Sequence, residues 1–481
     1  MVWIRCQRAS EASIGIAELC HNDCFQPLTG KLKSTRILPR PFGHDRFTKA
    51  RQFMKIVFLT AGAAGMYCGS CMHDNALARA LRSLGAECLL QPLYTPLRTD
   101  ETNIASREVF FGGVHIFLLQ RFPFLRWIPS SVRRLLDNPR FLAWATRRAA
   151  STDAGTLGDL AVSMLRGEHG AQAEEVNRLV HWLHDEMQPD VLIFSNLLIG
   201  GCIPTIRREM PNTKVVVILQ GDDSFLDHLP ESYRNRAIAE LCKLGSQCDM
   251  IIVNSEFYGE KMGQLLGLSP SRVKVVPLSI DTTPFLVDPA PRQAVQPFTI
   301  GYLARIAPEK GLHHLVDAFI ELSKRPGCEQ VRLSVAGWLG SQNEAYKRSI
   351  DDRIEEAGLA SRYSYLGSPD LAGKLAMLHQ IDALCVPTDH EEPKGLFVLE
   401  ALAAGVPVVQ PARGAFPELI RSTGGGLIVS PDDPTSLADG LEQLIKDPEL
   451  RNRLGKQGRD AVLANHTTAT QAKRLLELFQ G

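Results

Sequence analysis

The strongest constraint on this chain is a recurring alternation of short β-branched runs with helical stretches. MKIVFLT (54–60), DVLIFSN (190–196), KVVVILQ (214–220), MIIVNS (250–255) and VKVVPL (273–278) read as strands, joined by CLLQPLYTP (88–96) and VFFGGVHIFLL (109–119). Strands that alternate with helices form a parallel sheet covered on both faces. After residue 298 the pattern restarts with FTIGYLA, VRLSVAG, YSYLG and ALCVPT. At 481 residues the chain is too long for one core, so the expected fold is α/β, two Rossmann-like doubly wound domains facing a cleft.

The expected boundaries follow from composition. Residues 1–53 carry nine Lys/Arg against four Asp/Glu without a sustained period and read as a disordered leader, with Met54 as the natural start. The first domain covers 54–287, and the proline-rich stretch 288–297 is the linker. The second domain covers 298–465, and a helix over 466–481 is expected to return and brace the first. Lys/Arg and Asp/Glu balance at 53 each, which gives no global electrostatic case for nucleic acid. No apolar run approaches the length of a membrane span, and eleven scattered cysteines suit a reduced interior, so the expected location is cytoplasmic.

Two motifs carry chemistry. In DHEEPKGLFVLEALAAGVPVVQ (389–410), Glu392 lies in a loop and Glu400 eight residues on, one to two turns inside a helix that begins at Leu396. Both carboxylates can then face one crevice, and a carboxylate accepts paired hydroxyls in a forked geometry. In RIAPEKG (305–311), Arg305 and Lys310 flank a helix entrance, where two cations beside a helix N-terminus suit a diphosphate. A third stretch, AGAAGMYCGSC (61–71), is a glycine-rich loop between a strand and a helix. Its small residues allow backbone amides to approach a phosphate, but its spacing is not that of the dinucleotide fingerprint.

Together these stretches resemble the GT-B fold glycosyltransferases of the family 4 type, glycosyltransferase group 1, over about residues 54 to 481. The resemblance implies that Glu392 holds a donor sugar, Glu400 a nucleotide ribose, and Arg305 and Lys310 the donor diphosphate. It adds Gly69, Gly395 and Leu396 to the donor site and makes Arg305, Lys310 and Glu392 the catalytic set. Lys394 departs from the pattern, which usually has Phe there, and so bears on the choice of sugar. The expected reaction is transfer of a hexose from a UDP-, GDP- or ADP-sugar to an acceptor hydroxyl with retention. Glycan, lipid-linked and small-molecule acceptors all stay open, and no cofactor or metal is implied.

In the first domain Ser195, Asn196 and Gln220 stand at strand ends where that family often carries histidines. Asn196 and Gln220 are candidate acceptor contacts, with Asp222 a weaker one. Asp222 and Asp223 side by side are read as a helix cap in preference to a metal site. The Cys68–Cys71 pair also fits a redox motif, though that reading leaves the downstream motifs unexplained. The segment 120–150 holds seven arginines among aromatic residues, with Asp137 its one acid, and suits either a packed helical lid or peripheral contact of 121–148 with an anionic membrane. Two rival functions remain at this level: a non-catalytic sugar-nucleotide-binding module, and another reaction such as epimerisation.

Overall fold

In the computed structural model of the protein, the described residues are 53–62, 69–97, 99, 102–106, 109–111, 154–287 and 297–480. Residues 1–52 of the expected leader 1–53, residues 63–68 of the glycine-rich loop, residues 112–119 of the expected strand 109–119, the arginine-rich segment 120–150 and linker positions 288–296 lie outside them. Among the described residues there are two six-stranded sheets, every pairing parallel.

The first sheet contains β1 (Lys55–Thr60), β2 (Glu87–Pro92), β3 (Val191–Phe194), β4 (Lys214–Ile218), β5 (Met250–Val253) and β6 (Val273–Val275), in the order β2-β1-β3-β4-β5-β6. The second contains β7 (Thr299–Leu303), β8 (Arg332–Ala336), β9 (Tyr363–Tyr365), β10 (Ala383–Leu384), β11 (Val408–Pro411) and β12 (Gly426–Val429), in the order β12-β11-β10-β7-β8-β9. Each winds outward from its first strand, then returns to that strand's other side. The direction therefore reverses between β1 and β3 and again between β7 and β10. Crevices at such reversals, beyond the carboxyl ends of the strands, are where open α/β sheets bind ligands. The two doubly wound α/β sheets expected from the alternation are observed.

The β-branched runs are apolar throughout because both faces of each sheet are covered. Val57, Leu192, Val217 and Ile251 enter one core of the first sheet, while Ile56, Ile193, Val216 and Ile252 enter the other. The C-terminal helix, Thr468–Gln480, packs Ala472, Leu475 and Phe479 into that second core against Leu77 and Leu81 of the Gly69–Ser83 helix. Lys214 Nζ also donates to its Phe479 carbonyl at 2.9 Å. The chain thus crosses between the halves a second time. There Ile280 N–H donates to the His466 carbonyl, and Thr468 N–H to the Ile280 carbonyl, at 3.0 and 3.1 Å. Among the described residues no helix is long and apolar enough to cross a membrane.

Because Leu475 is fully buried under the first sheet, Leu475→Ala should destabilise the protein by about 2–5 kcal/mol. The neighbouring exposed Lys473→Ala should stay within about 0.5 kcal/mol. Urea unfolding of both variants checks the docking; equal stability would show that the helix does not brace this core.

Candidate functional site

The loop after β7 and the loop after β10 meet at the reversal of the second sheet. The first carries Arg305 and closes in a short helical turn, Pro308–Lys310, before the helix Leu312–Leu322. The second runs to Gly395, which caps the helix Leu396–Ala403. Two glycines make the approach possible. Gly311 sits at φ +69°, and a Cβ there would lie 1.7 Å from the Pro387 carbonyl oxygen; Gly414 sits at φ +59°, with a Cβ 2.4 Å from that of Glu392. Both positions need the left-handed region and tolerate no side chain.

This packing buries Glu392 against Lys310. Lys310 Nζ donates to Glu392 Oε2 at 2.7 Å, and His390 Nε2 lies 3.4 Å from the ammonium and 3.5 Å from the carboxylate. Glu392 Oε1 accepts the backbone N–H groups of Lys394 and Gly395 at 3.4 and 3.3 Å. Eight residues on, Glu400 Oε1 accepts from Lys374 Nζ at 2.8 Å. Glu400, Lys374 and Leu396 line a crevice whose opposite wall is Gly69 and His73 of the first half. A Cβ on Gly69 would meet Leu396 Cδ1 at 3.0 Å. Arg305 is the most accessible of the set, with a side chain 49% exposed and paired to Glu309 at 3.2 Å. Of the expected donor-site residues, Gly69 thus faces Leu396 and Glu400 across this crevice, while Lys310 and Glu392 pair where the two loops meet.

The first half contributes polar, mostly uncharged groups. Lys394 reaches across the cleft, donating to Ser70 Oγ at 2.7 Å and Gln220 Oε1 at 3.0 Å. Gln220 Nε2 in turn donates to Asp74 Oδ1 and the Ser195 carbonyl, at 2.8 and 3.0 Å. Gln220 is therefore part of the cleft wall. Asn196 and Asp222, offered above as acceptor contacts, are placed differently. Asn196 Oδ1 caps a helical turn by accepting Ile199 N–H at 3.1 Å. Asp222 is 2% exposed and accepts Leu197 N–H and Gln220 N–H at 2.7 and 3.1 Å, so both its oxygens brace the ends of β3 and β4. Asp223 turns away to Tyr258 OH and Lys261, at 2.7 and 2.8 Å, so the adjacent aspartates do not converge on a point. Cys71 is buried within the Gly69–Ser83 helix.

Burial and charge set the protonation states. Burial alone would raise the Glu392 pKa, but the Lys310 charge, His390 and the hydrogen bond from Lys310 outweigh it and hold it at about 2. His73 is held down at about 4, first by burial and then by the Lys394 charge. Its Nε2 meets Gln471 Oε1 at 2.8 Å. Gln471 Oε1 also accepts from Ser279 Oγ, so the imidazole proton belongs on Nε2 and Nδ1 is left without a partner. Burial pushes Asp222 up to about 6.

Two family models match the chain in succession. Residues 147–284 match Glycosyltransferase Family 4, and residues 288–461 match Glycosyl transferases group 1. The chain belongs to the group 1 glycosyltransferases of GT-B fold. It is 27% identical over 236 residues to a glycogen synthase of Mycobacterium tuberculosis, covering 48% of this chain and 54% of that one. It is 32% identical over 187 residues to a phosphatidyl-myo-inositol mannosyltransferase of Mycobacterium leprae, covering 38% and 46%. The chain thus spans about half the length of these relatives. The solved structure of Anabaena HepE in complex with UDP superposes with a TM-score of 0.62 at 18% identity, covering 89% of this chain and all of that one, a likeness of fold.

In this glycosyltransferase the sequence reading missed Lys374, His390, Ser70 and His73. Each enters the site through a contact between distant elements, and no local spacing announces it. Lys394 was visible as a departure, but its span to Ser70 and Gln220 was not. Neither were the cross-cleft contacts of Lys261 with Glu391 at 2.8 Å, or of Glu418 with the Glu256 and Phe257 N–H groups.

Lowering the pH should loosen the cleft in two windows. His73, depressed from 6.5 to about 4, contributes stability that is complete above pH 6.5 and lost as pH falls toward 4. Glu392, depressed from 4.5 to about 2, contributes stability complete above pH 4.5 and lost toward 2. Denaturant unfolding in pH steps should show His73→Gln flattening only the upper window and Glu392→Gln only the lower. Identical pH profiles for wild type and both variants would contradict these environments.

Proposed function

We propose that the protein transfers a hexose from a nucleotide sugar to an acceptor hydroxyl with retention of anomeric configuration. The observation that carries this reading is the ion pair of partly buried Lys310 with buried Glu392 at the reversal of the second sheet, with Glu400 in the helix that follows. An ionised carboxylate accepts two sugar hydroxyls, and a second one accepts the ribose diol. Lys310 and the accessible Arg305, beside the entrance to the Leu312–Leu322 helix, stabilise the charge that grows on a departing diphosphate. The leaving-group oxygen separates from the anomeric carbon as the acceptor oxygen bonds to that carbon on the same face. The acceptor's proton passes to a phosphate oxygen of the leaving group. Glu392 holds the sugar while Gln220 and Ser70 offer polar contacts from the opposite wall.

The fold shared with a UDP-bound neighbour makes uridine donors the first to test, ahead of GDP- and ADP-sugars. A thermal-shift screen across the three classes should show a rise with one class, and Lys310→Ala should abolish it. Turnover should fall about 10²–10³-fold in Lys310→Ala, the scale for removing one group that stabilises developing negative charge. Glu392→Ala turning over at the wild-type rate with donor bound would reject the site. The absence of a shift with every donor would favour a non-catalytic module.

A further inference from the structure

We propose a metal site that clamps the two donor-side loops together: His313, His314 and Asp389 form a three-residue centre for a divalent transition ion of the zinc type. Their ligand atoms all lie within 4.8 Å of one another. His314 Nε2 is 2.6 Å from Asp389 Oδ1, and His313 Nε2 is 3.6 Å from Asp389 Oδ2. Tetrahedral zinc with bonds of about 2.0–2.1 Å separates its ligand atoms by roughly 3.3 Å, so modest side-chain adjustments bring all three into coordination. Imidazole and carboxylate together suit zinc and its neighbours in the first transition row.

The geometry is unusual for two adjacent helical residues. Neighbours in sequence on a helix do not face one another, yet these imidazoles lie with centroids 4.1 Å apart, tilted by 39°, and turn toward the same aspartate. A supporting group is in place behind them. Tyr346 OH accepts the His313 backbone N–H at 3.1 Å and lies 2.9 Å from His313 Nδ1. An Nδ1–H donated to that oxygen leaves the Nε2 lone pair toward Asp389, the arrangement that orients histidine ligands in metal centres. Asp432 Oδ1 lies 3.9 Å from His314 Nε2, while its Oδ2 pairs with Arg413. It or a water completes four ligands.

The site lies outside the proposed donor pocket but shares its two loops. His313 follows Lys310 by three residues, and Asp389 precedes Glu392 by three. Asp389 N–H already donates to the Glu309 carbonyl at 3.1 Å, so an ion there fixes both loops that carry the Lys310–Glu392 pair.

The test is a titration of chelator-treated full-length protein with Co²⁺, read by visible absorption, followed by displacement with Zn²⁺. The expected result is a saturable band from one ion per chain that lacks thiolate charge transfer, is lost in His314→Ala and Asp389→Asn, and weakens about tenfold in Tyr346→Phe. Circular dichroism establishes that each variant is folded; should His314→Ala unfold, His313→Gln serves in its place. A band with thiolate charge transfer, a band unchanged in the folded variants, or no saturable band would overturn the proposal. The readout needs no sugar nucleotide, so its outcome is independent of the glycosyltransferase reading.

Discussion

The two loops at the reversal of the second sheet depend on holding a buried carboxylate against a partly buried ammonium. Either ion buried alone would carry a desolvation cost of several kcal/mol, and their mutual attraction offsets it only if the remaining hydrogen-bonding capacity is also met. Glu392 meets that condition. Lys310 serves one oxygen, and the N–H groups of Lys394 and Gly395 serve the other. The backbone is shaped to allow it, since Gly311 and Gly414 are the places where the neighbouring carbonyls of Pro387 and Glu392 come too close for a side chain. The pair is thus a consequence of loop packing at the sheet reversal, and it ties two motifs that are 82 residues apart.

A second set of polar contacts joins the halves of the protein. Lys394 bonds to Ser70 and Gln220, Lys261 bridges Asp223 and Glu391, and Glu418 accepts two N–H groups at the start of the Glu256–Leu266 helix. These are hydrogen bonds and ion pairs and not a continuous apolar interface, so water or a ligand can replace them one at a time. Most of the apolar core residues belong to one sheet or the other. The crossover is where they mix: Leu278, Ile280 and Phe285 join a core of the second half, and the C-terminal helix buries Leu475 and Phe479 under the first. A permanent tether at the crossover combined with exchangeable contacts across the cleft is the arrangement expected of two bodies that open and close on a ligand.

The sequence made the periodic features readable. β-branched runs such as KVVVI and MIIV report strands because both faces are buried, and the apolar face of the Leu312–Leu322 helix reports its packing. Arg305, Lys310, Glu392 and Glu400 were readable because each pair sits within one loop or one loop and helix. What local spacing could not express was partnership at a distance. Asp222 looked available next to Asp223, yet it is consumed by two backbone N–H groups from different strand ends, and Asn196 is spent on its own turn. The convergence of His313 and His314 on Asp389 was hidden for the same reason: the aspartate comes from a loop 75 residues away.

For the transfer proposed above, the distribution of basicity around the cleft bears on where an acceptor's proton would go. A general base works best with a pKa near the operating pH. Glu392, at about 2, is far too weak a base, because the cations that keep it ionised also hold its charge. His73, at about 4, is little better, and its Nε2 is committed to Gln471. Asp222 has the most suitable value, about 6, but its side chain is buried and both of its oxygens are engaged within the first half. A phosphate oxygen of the departing nucleotide, whose last proton has a pKa of about 6, is better matched than Glu392 or His73. It also gains negative charge as the bond to the sugar breaks, so its basicity rises when a proton acceptor is needed. In the transfer proposed above, passage of the proton to the leaving group keeps attack and departure on one face, consistent with the retention proposed there.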